Sequence, residues 1–108
     1  MARIAKRLAG PAQVTNSAAT KYTVPALTKT IIRHIHIQNP SGSAVTFTLS
    51  IGTDGATTRL FDAYSIGAGT VLDHFCYYVV DAAEIVQALA GTNNILTLTI
   101  DGDEIVLG

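Results

Sequence analysis

Apolar residues alternate with threonine and serine in two segments of this sequence, residues 44–51 and 95–100. The first segment places four apolar side chains on one side of an extended chain: Val45, Phe47, Leu49 and Ile51. Successive side chains of a β-strand point to opposite faces, so this period of two predicts strands with one buried and one solvated face. Threonine on the solvated face supports the same structure, because β-branched residues favour strands.

Further strands are predicted along the rest of the chain. Residues 30–38 and 70–80 are rich in β-branched and aromatic residues, and the latter segment is apolar on both faces. It is predicted to lie in the middle of a sheet or beside another subunit. Weaker strands are predicted at residues 12–16, 20–24, 58–66 and 104–107. A chain of 108 residues with eight or nine short strands between Gly-, Asn- and Asp-rich turns predicts a single-domain, all-β, antiparallel β-sandwich of jelly-roll-like form.

Residues 81–90 fit two different structures. Asp81 and Glu84 form a capping-box pattern before an apolar run that stops at Gly91, which local rules predict as a short helix. The alternative is a loop followed by a strand over residues 84–90. The strand is preferred, because the surrounding sheets need a partner at this point.

The first residues differ in composition from the remainder. We predict an N-terminal arm, residues 1–11, followed by a β-sandwich domain, residues 12–108. The arm combines basic and apolar side chains that are predicted to bind a partner: Arg3, Ile4, Lys6, Arg7 and Leu8. Such a segment either frays in solution or becomes ordered against a neighbour on assembly, and the residues alone leave both alternatives open.

Composition argues against several classes of protein. Apolar residues make up 48% of the chain and charged residues 14%, which is unlike a disordered protein. No apolar run has the length of a membrane span or follows the pattern of a secretory signal, so no membrane partner is predicted. The single cysteine, Cys76, predicts a reducing cytosol. The pI of about 6.2 and the lack of tryptophan argue against nucleic-acid binding.

The charges are distributed unevenly along the sequence. All seven lysines and arginines fall at or before Arg59, whereas seven of the eight acidic residues follow it. One explanation is chance in a small sample, together with pairing across the fold, and the other is a surface with a positive and a negative side. Opposite poles would suit head-to-tail packing of identical subunits or docking onto a charged partner.

Residues with metal-binding or catalytic chemistry are few. His34 and His36 lie two residues apart on a predicted strand and so share a face, and His74 could complete a three-imidazole metal site. The alternative is that these histidines are polar residues on an outer face or at an interface. No nucleophile, zinc-protease or phosphate-loop motif is present, so the sequence predicts neither an enzyme nor a bound cofactor.

Cys76 and the acidic residues near the C-terminus are predicted to have structural roles. Cys76 lies in a strongly apolar strand, which favours a buried, unreactive thiol over a nucleophile paired with His74. Asp101, Asp103 and Glu104 lack the spacing of a calcium loop and are predicted to be solvated acids at a hairpin turn.

The succession of strands and turns carries a family resemblance. A short polar arm precedes Ala-Ala-Thr-Lys-Tyr-Thr-Val-Pro-Ala at residues 18–26, and a basic, apolar strand follows at residues 31–39. Then come the alternating strand at residues 44–51 and a strand, Gly-Ala-Gly turn and strand at residues 62–71. This order resembles the small accessory virion proteins of tailed bacteriophages, of the decoration, neck or tail type. The chain departs from it at residues 81–84, where such proteins tend to have a Gly-Asp turn.

The resemblance implies a β-sandwich that forms a homo-oligomer, with a trimer favoured, and that binds phage capsid or tail proteins. The expected function is a non-enzymatic capsid decoration or cement protein, located in the virion and made in the cytoplasm of the host bacterium. The alternative is a tail, neck or fibre component with a carbohydrate- or protein-binding sandwich. A small metal-dependent jelly-roll enzyme that uses His34, His36 and His74 is a third hypothesis.

Overall fold

The computed structural model describes residues 2–107, which form eight β-strands. The first four strands are β1 (Ala2–Gln13), β2 (Ala19–Thr23), β3 (Thr28–Gln38) and β4 (Val45–Ile51). The other four are β5 (Arg59–Ile66), β6 (Val71–Val80), β7 (Ile85–Ala90) and β8 (Thr97–Val106). Met1 of the predicted arm and Gly108 of the predicted sandwich domain lie outside the described residues. Residues 2–107 contain no helix with the length and apolar character of a membrane span.

The strands form two antiparallel, four-stranded sheets that pack face to face. The first sheet has the order β1-β8-β3-β6, and the second has the order β2-β7-β4-β5. The pairs β1–β8, β2–β7, β3–β6 and β4–β5 are nested, so the chain resembles one long hairpin, with its tip between β4 and β5, rolled into a sandwich. This nested order is that of a jelly roll and confirms the predicted all-β sandwich.

The core lies between the sheets and is built from alternate residues of the strands. Phe47 and Leu49 of β4 are fully buried, as are Ile35 and Ile37 of β3. The strand predicted from the period of two at residues 44–51 is therefore confirmed by β4, and the strand predicted at residues 30–38 is confirmed by β3. Burial of each such side chain contributes about 1.5–3 kcal/mol, which makes this alternation the main determinant of the fold.

β1 occupies the segment predicted to be an arm. Ala2 lies opposite Val106 and Gln13 lies opposite Thr97, so residues 2–13 form an edge strand along almost the whole of β8. Leu8 points inward and belongs to the core. The boundary between an arm of residues 1–11 and a domain that starts at residue 12 is therefore absent, because backbone pairing and Leu8 attach this segment to the first sheet.

β8 continues through residues 101–103, which the sequence predicts to be a turn. Gly102 lies between Lys6 of β1 and Ile32 of β3 in the register of the sheet. A β-carbon at this position would overlap the carbonyl oxygen of Ile31. The glycine thus permits close approach of backbones inside a central strand rather than a reversal of the chain, and the predicted turn is wrong. Two acids that follow the glycine are buried rather than solvated: Asp103 and Glu104.

A turn rather than a helix precedes β7. The backbone N–H of Asp81 donates to Glu84 Oε1 at 2.7 Å, and the N–H of Glu84 donates to the carbonyl oxygen of Asp81 at 3.0 Å. Ala83 has a φ of 70°, in the left-handed region that a helix does not continue through. The capping-box residues therefore close a turn, and the preferred prediction of a following strand is confirmed by β7.

Candidate functional site on the outer face of the first sheet

β6 lies at one edge of the first sheet. The predicted position in the middle of a sheet is therefore wrong, and the alternative, a position beside another subunit, stays a prediction. Alternate residues of this strand point away from the core. Four of them form an exposed apolar row, which we call the β6 ridge: Val71, Phe75, Tyr77 and Val79. Phe75 is 77% exposed and Tyr77 is 62% exposed. Within residues 2–107, the outer edge of β6 has no partner strand. Exposed apolar side chains beside an open edge are typical of a surface that another chain covers.

Side chains of β3 support the two aromatic rings of the β6 ridge. The imidazole of His34 stacks on Phe75, with ring centroids 4.4 Å apart and planes inclined by 6°. The guanidinium carbon of Arg33 lies 5.9 Å from the centre of the Tyr77 ring, within the range of a cation–π interaction. Rings held in this way lose less side-chain freedom when a partner binds, which favours association.

Two histidines and one aspartate meet on the outer face beside the β6 ridge. His34 Nε2 lies 2.9 Å and His36 Nδ1 lies 2.6 Å from the same oxygen, Oδ1 of Asp73. Asp73 is the cross-strand partner of His36, and Ile35 between the two histidines points into the core. The hydrogen bond to His36, followed by that to His34, lowers the pKa of Asp73. His34 and His36 thus share a face, and Asp73 is the third member of their cluster.

His74 points to the other face of β6 and takes no part in this cluster. Its Nε2 lies 3.0 Å from the hydroxyl of Tyr78, and its ring meets the Phe61 ring edge-on at 5.1 Å between centroids. Alternation along β6 turns His74 inward, whereas His34 and His36 point outward from β3. The predicted three-imidazole metal site is therefore not formed.

Cys76 also lies on the inward-facing side of β6. The residue is half-buried rather than fully buried, and its Sγ lies 3.5 Å from the carbonyl oxygen of Ile32. Burial raises the pKa of the thiol. Since the thiolate is the reactive form, this environment fits the predicted structural role and disfavours a nucleophile.

Two of the residues predicted to bind a partner form ion pairs within the first sheet. Arg3 Nη2 donates to Asp103 Oδ2 at 2.7 Å, and Arg33 Nη1 donates to the same oxygen at 3.2 Å. The hydrogen bond from Arg3 is the main cause of the lowered pKa of Asp103. Lys6 Nζ donates to Glu104 Oε1 at 3.1 Å. About half of the Arg3 and Lys6 side chains stays exposed, so both can still meet a partner.

The other three predicted partner-binding residues differ in exposure. Ile4 is exposed near the start of β1, and Arg7 is exposed opposite Asp101 of β8. Leu8 is buried in the core and offers no surface to a partner, because alternation along β1 turns it inward. The exposed residues of β1 remain predicted partner contacts, whereas Leu8 is a core residue.

Pairing across the fold explains the uneven charge of the sequence. Five of the seven basic residues form ion pairs with acids that follow residue 60: Arg3–Asp103, Lys6–Glu104, Lys29–Asp81, Arg33–Asp103 and Arg59–Asp62. The nested topology brings the basic first half of the chain against the acidic second half. The exposed pairs Lys29–Asp81 and Arg59–Asp62 each contribute only about 0–1 kcal/mol, whereas the other three neutralise the buried carboxylates of Asp103 and Glu104.

A polar cluster connects the two sheets between β2 and β8. The hydroxyl of Tyr22 donates to Glu104 Oε2 and lies 2.8 Å from the hydroxyl of Thr30. Burial, followed by the hydrogen bond to Glu104, raises the pKa of Tyr22 to about 12. The same hydrogen bond is the main cause of a lowered pKa at Glu104, to which Lys6 also donates. The buried carboxylate is thus compensated by two donors.

Replacing Glu104 with glutamine is expected to lower stability at neutral pH and to weaken its dependence on acid. Because the pKa of Glu104 is lowered on folding, its carboxylate contributes stability that is complete above the ordinary value of 4.5 and is lost as pH falls through the folded-state pKa. Thermal melts of wild type and E104Q should differ at neutral pH and converge as the pH falls below the lowered, folded-state pKa of Glu104. A constant separation between the two stability curves over this range would contradict the assignment.

Sequence patterns did not single out Asp73 or the β6 ridge as a site. Both faces of residues 70–80 are apolar, so periodicity alone does not choose which face is exposed. The placement of Asp73 opposite His36 depends on the register between β6 and β3, which local sequence does not specify. The available signal was the spacing of Val71, Asp73 and Phe75, which lie two residues apart and therefore share one face of the strand.

No protein-family model and no curated protein sequence matches this chain. Solved structures with a similar fold are found. A chain of the Bacillus endospore appendages, a family of disulfide-linked pili, has a TM-score of 0.56 and 12% identity, over 98% of this chain and 89% of that chain. A chain of infectious bursal disease virus, Gx strain, has a TM-score of 0.52 and 14% identity, over 99% of this chain and 32% of that chain. At these identities the likeness shows a shared fold, and this chain spans about a third of the viral chain.

Proposed function

We propose that this chain is a non-enzymatic structural protein that assembles with copies of itself and decorates the surface of a tailed-bacteriophage particle. The observation that carries the proposal is the β6 ridge, an exposed apolar and aromatic row at an open sheet edge. Support comes also from the jelly-roll fold, which a pilus chain and a virus chain share. The phage particle is proposed from the family resemblance of the sequence.

The two edges of the first sheet suggest how copies would assemble. β6 forms one edge of this sheet and β1 forms the other, so the edge of one copy can continue onto the opposite edge of the next. Such head-to-tail contacts close into a ring when the rotation between copies permits, and we propose a trimer. The exposed residues of β1 would then face the β6 ridge of a neighbour or the particle: Arg3, Ile4, Lys6 and Arg7.

Light scattering tests the self-assembly part of this proposal. Wild-type protein is expected to form a discrete oligomer of the 11.3 kDa chain. The substitution Phe75→Asp should shift it towards monomer, because loss of a buried aromatic anchor weakens an interface by at least about 2 kcal/mol, roughly thirtyfold in dissociation constant. Truncation of residues 1–11 is a poor test, since it removes the strand that pairs with β8.

Tyr64→Asp provides the matched control. Tyr64 is also an exposed aromatic residue on an edge strand, but it belongs to β5 of the second sheet. Its replacement should leave the oligomer mass unchanged. A wild-type protein that stays monomeric at all concentrations, or a Phe75→Asp variant with the wild-type mass, would refute assembly through the β6 ridge.

Co-sedimentation with phage particles tests the decoration part separately. Purified protein is mixed with isolated heads and, in a parallel sample, with isolated tails. Binding to heads in a saturable, regular number of copies is the expected result, and Arg7→Glu should weaken it if β1 contacts the particle. Binding to tails alone would favour the neck, tail or fibre alternative.

A carbohydrate-binding sandwich is a second candidate function. Phe75 and Tyr77 expose aromatic rings next to the polar cluster of His34, His36 and Asp73. Aromatic faces combined with polar groups are a common way to bind sugars, because the ring packs on apolar sugar faces while polar groups bind hydroxyls. Binding of host surface polysaccharide that Phe75→Ala abolishes, without any change in oligomer mass, would favour this function.

A further inference from the structure

The cluster on the outer face brings three ligand atoms of two kinds together. The ring nitrogens of His34 and His36 and a carboxylate oxygen of Asp73 all lie within 4.8 Å of one another. Both nitrogens point at one oxygen, Asp73 Oδ1, at 2.9 and 2.6 Å. Both contacts are hydrogen bonds in this structure, and two imidazole nitrogens with one carboxylate oxygen are also a ligand set that zinc takes in proteins.

Rigid elements of the fold hold these three side chains. His34 and His36 occupy alternate positions of β3, and Asp73 lies directly opposite His36 on the neighbouring strand β6. Directly opposite residues of an antiparallel pair have their β-carbons about 4.5–5.5 Å apart, so the sheet itself sets the spacing. Sites built on strands hold their geometry better than sites on loops.

Neighbouring side chains orient His34 further. Its ring stacks on Phe75 at 4.4 Å between centroids, and Asp101 Oδ2 lies 3.6 Å from its Nδ1. At 3.6 Å the Asp101 carboxylate is too far away for a hydrogen bond in this structure, but it lies on the side of the ring where a metal-bound histidine usually has a carboxylate as outer support. Nε2 of His34 is the nitrogen that faces Asp73.

We propose that His34, His36 and Asp73 bind a divalent transition-metal ion, Zn²⁺, on the outer face of the first sheet. Two imidazoles and one carboxylate favour zinc, copper or nickel over magnesium and calcium, which prefer oxygen ligands. Ligand atoms around a tetrahedral zinc ion are about 3.3 Å apart, so the side chains open by roughly half an ångström from their hydrogen-bonded positions. The partly exposed side chains leave room for this shift.

The proposed site keeps one coordination position open to solvent. Three protein ligands leave a fourth position of a tetrahedral ion for water or for a group of a bound partner. The β6 ridge borders this position, because Phe75 contacts His34 directly. The site is independent of the proposed assembly, since all three ligands belong to one chain.

Competition with a chromophoric zinc chelator tests the site, on dilute protein at neutral pH. Wild type is expected to bind one Zn²⁺ per chain, with Mg²⁺ unable to displace it. His36→Gln and Asp73→Asn should each weaken zinc binding at least about tenfold, which is the effect of losing even an outer support. His74→Gln is the matched control and should bind as wild type, because His74 lies on the other face of β6.

Two results would overturn the proposal. One is the absence of saturable zinc binding by wild type, and the other is equal zinc affinity in wild type, His36→Gln and Asp73→Asn. Thermal melts of each variant in the presence of a chelator verify that the fold is intact. Because the titration uses dilute protein, a chain that fails to form oligomers can still bind zinc, and the two proposals fail separately.

Discussion

Replacing Gly102 with alanine is expected to lower the melting temperature of this protein by about 15 °C. The added methyl group would overlap the carbonyl oxygen of Ile31 and lie 3.0 Å from Cδ1 of Leu8. Because β8 is flanked by β1 and β3, neither the strand nor its neighbours can move aside without loss of ladder hydrogen bonds. Overpacking of this kind costs about 3 kcal/mol, which corresponds to the stated shift for a domain of this size.

Gly42→Ala is the control for this substitution. Nothing lies within 4 Å of the position that a β-carbon would occupy at Gly42. The methyl group should therefore leave the melting temperature unchanged or raise it slightly, since alanine restricts the unfolded chain. Equal melting temperatures for G102A and wild type would mean that β8 is not held between two strands at this point.

Replacing Phe47 with alanine is expected to destabilise the fold by about 3–5 kcal/mol. Phe47 is the largest fully buried side chain, and its neighbours across the β4–β7 ladder are small: Ala88 and Ala90. Alanine has no side-chain torsion that could turn into the vacated space, and among the aromatic neighbours Phe61, with its ring centroid 5.8 Å away, can relax into part of it. Urea unfolding measures the change, as a lower midpoint with an unchanged slope.

Phe75→Ala makes the same chemical change on the surface. Phe75 is exposed on the β6 ridge, so its truncation should change the unfolding free energy by no more than about 0.5 kcal/mol in dilute protein. The contrast between the two phenylalanines separates the core from the surface proposed for assembly. A large loss of stability in dilute Phe75→Ala would show that the ridge supports the single chain and is not reserved for a partner.

Local alternation predicted most strands, because each side chain is buried or exposed according to its own position along the strand. Residues 44–51 and 30–38 correspond closely to β4 and β3, since their alternate apolar side chains fill the core. The predicted solvated face of β4 is only partly exposed, because Thr48 and Ser50 are buried. The turn predicted at residues 101–103 was wrong for a complementary reason. Aspartate and glycine favour turns in isolation. In β8, however, the glycine permits close approach of the backbone of β3, and the two acids form ion pairs with Arg3 and Lys6.

The pairing of strands distant in the sequence could not be predicted from local patterns. The apolar residues of β1 do not alternate regularly with polar ones as in a half-buried strand, so its pairing with β8 was not visible locally. The candidate site shows the same limit. The common face of His34 and His36 follows from their spacing, but Asp73 joins them only through the register of β6. Register depends on the whole sheet and is not encoded by neighbouring residues.

The nested topology also determines when the protein can fold during its synthesis. Every hydrogen-bonded neighbour of β1, β2, β3 and β4 belongs to the group β5 to β8. The first half of the chain therefore leaves the ribosome with no native partner strand, and its apolar strands stay unpaired until the second half follows. Non-local pairings of this kind form slowly, because the entropy of closing long loops is lost before contacts form. Folding of the sandwich is therefore expected to be a late event, and until then the unpaired strands of the newly made first half are open to pairing with other chains.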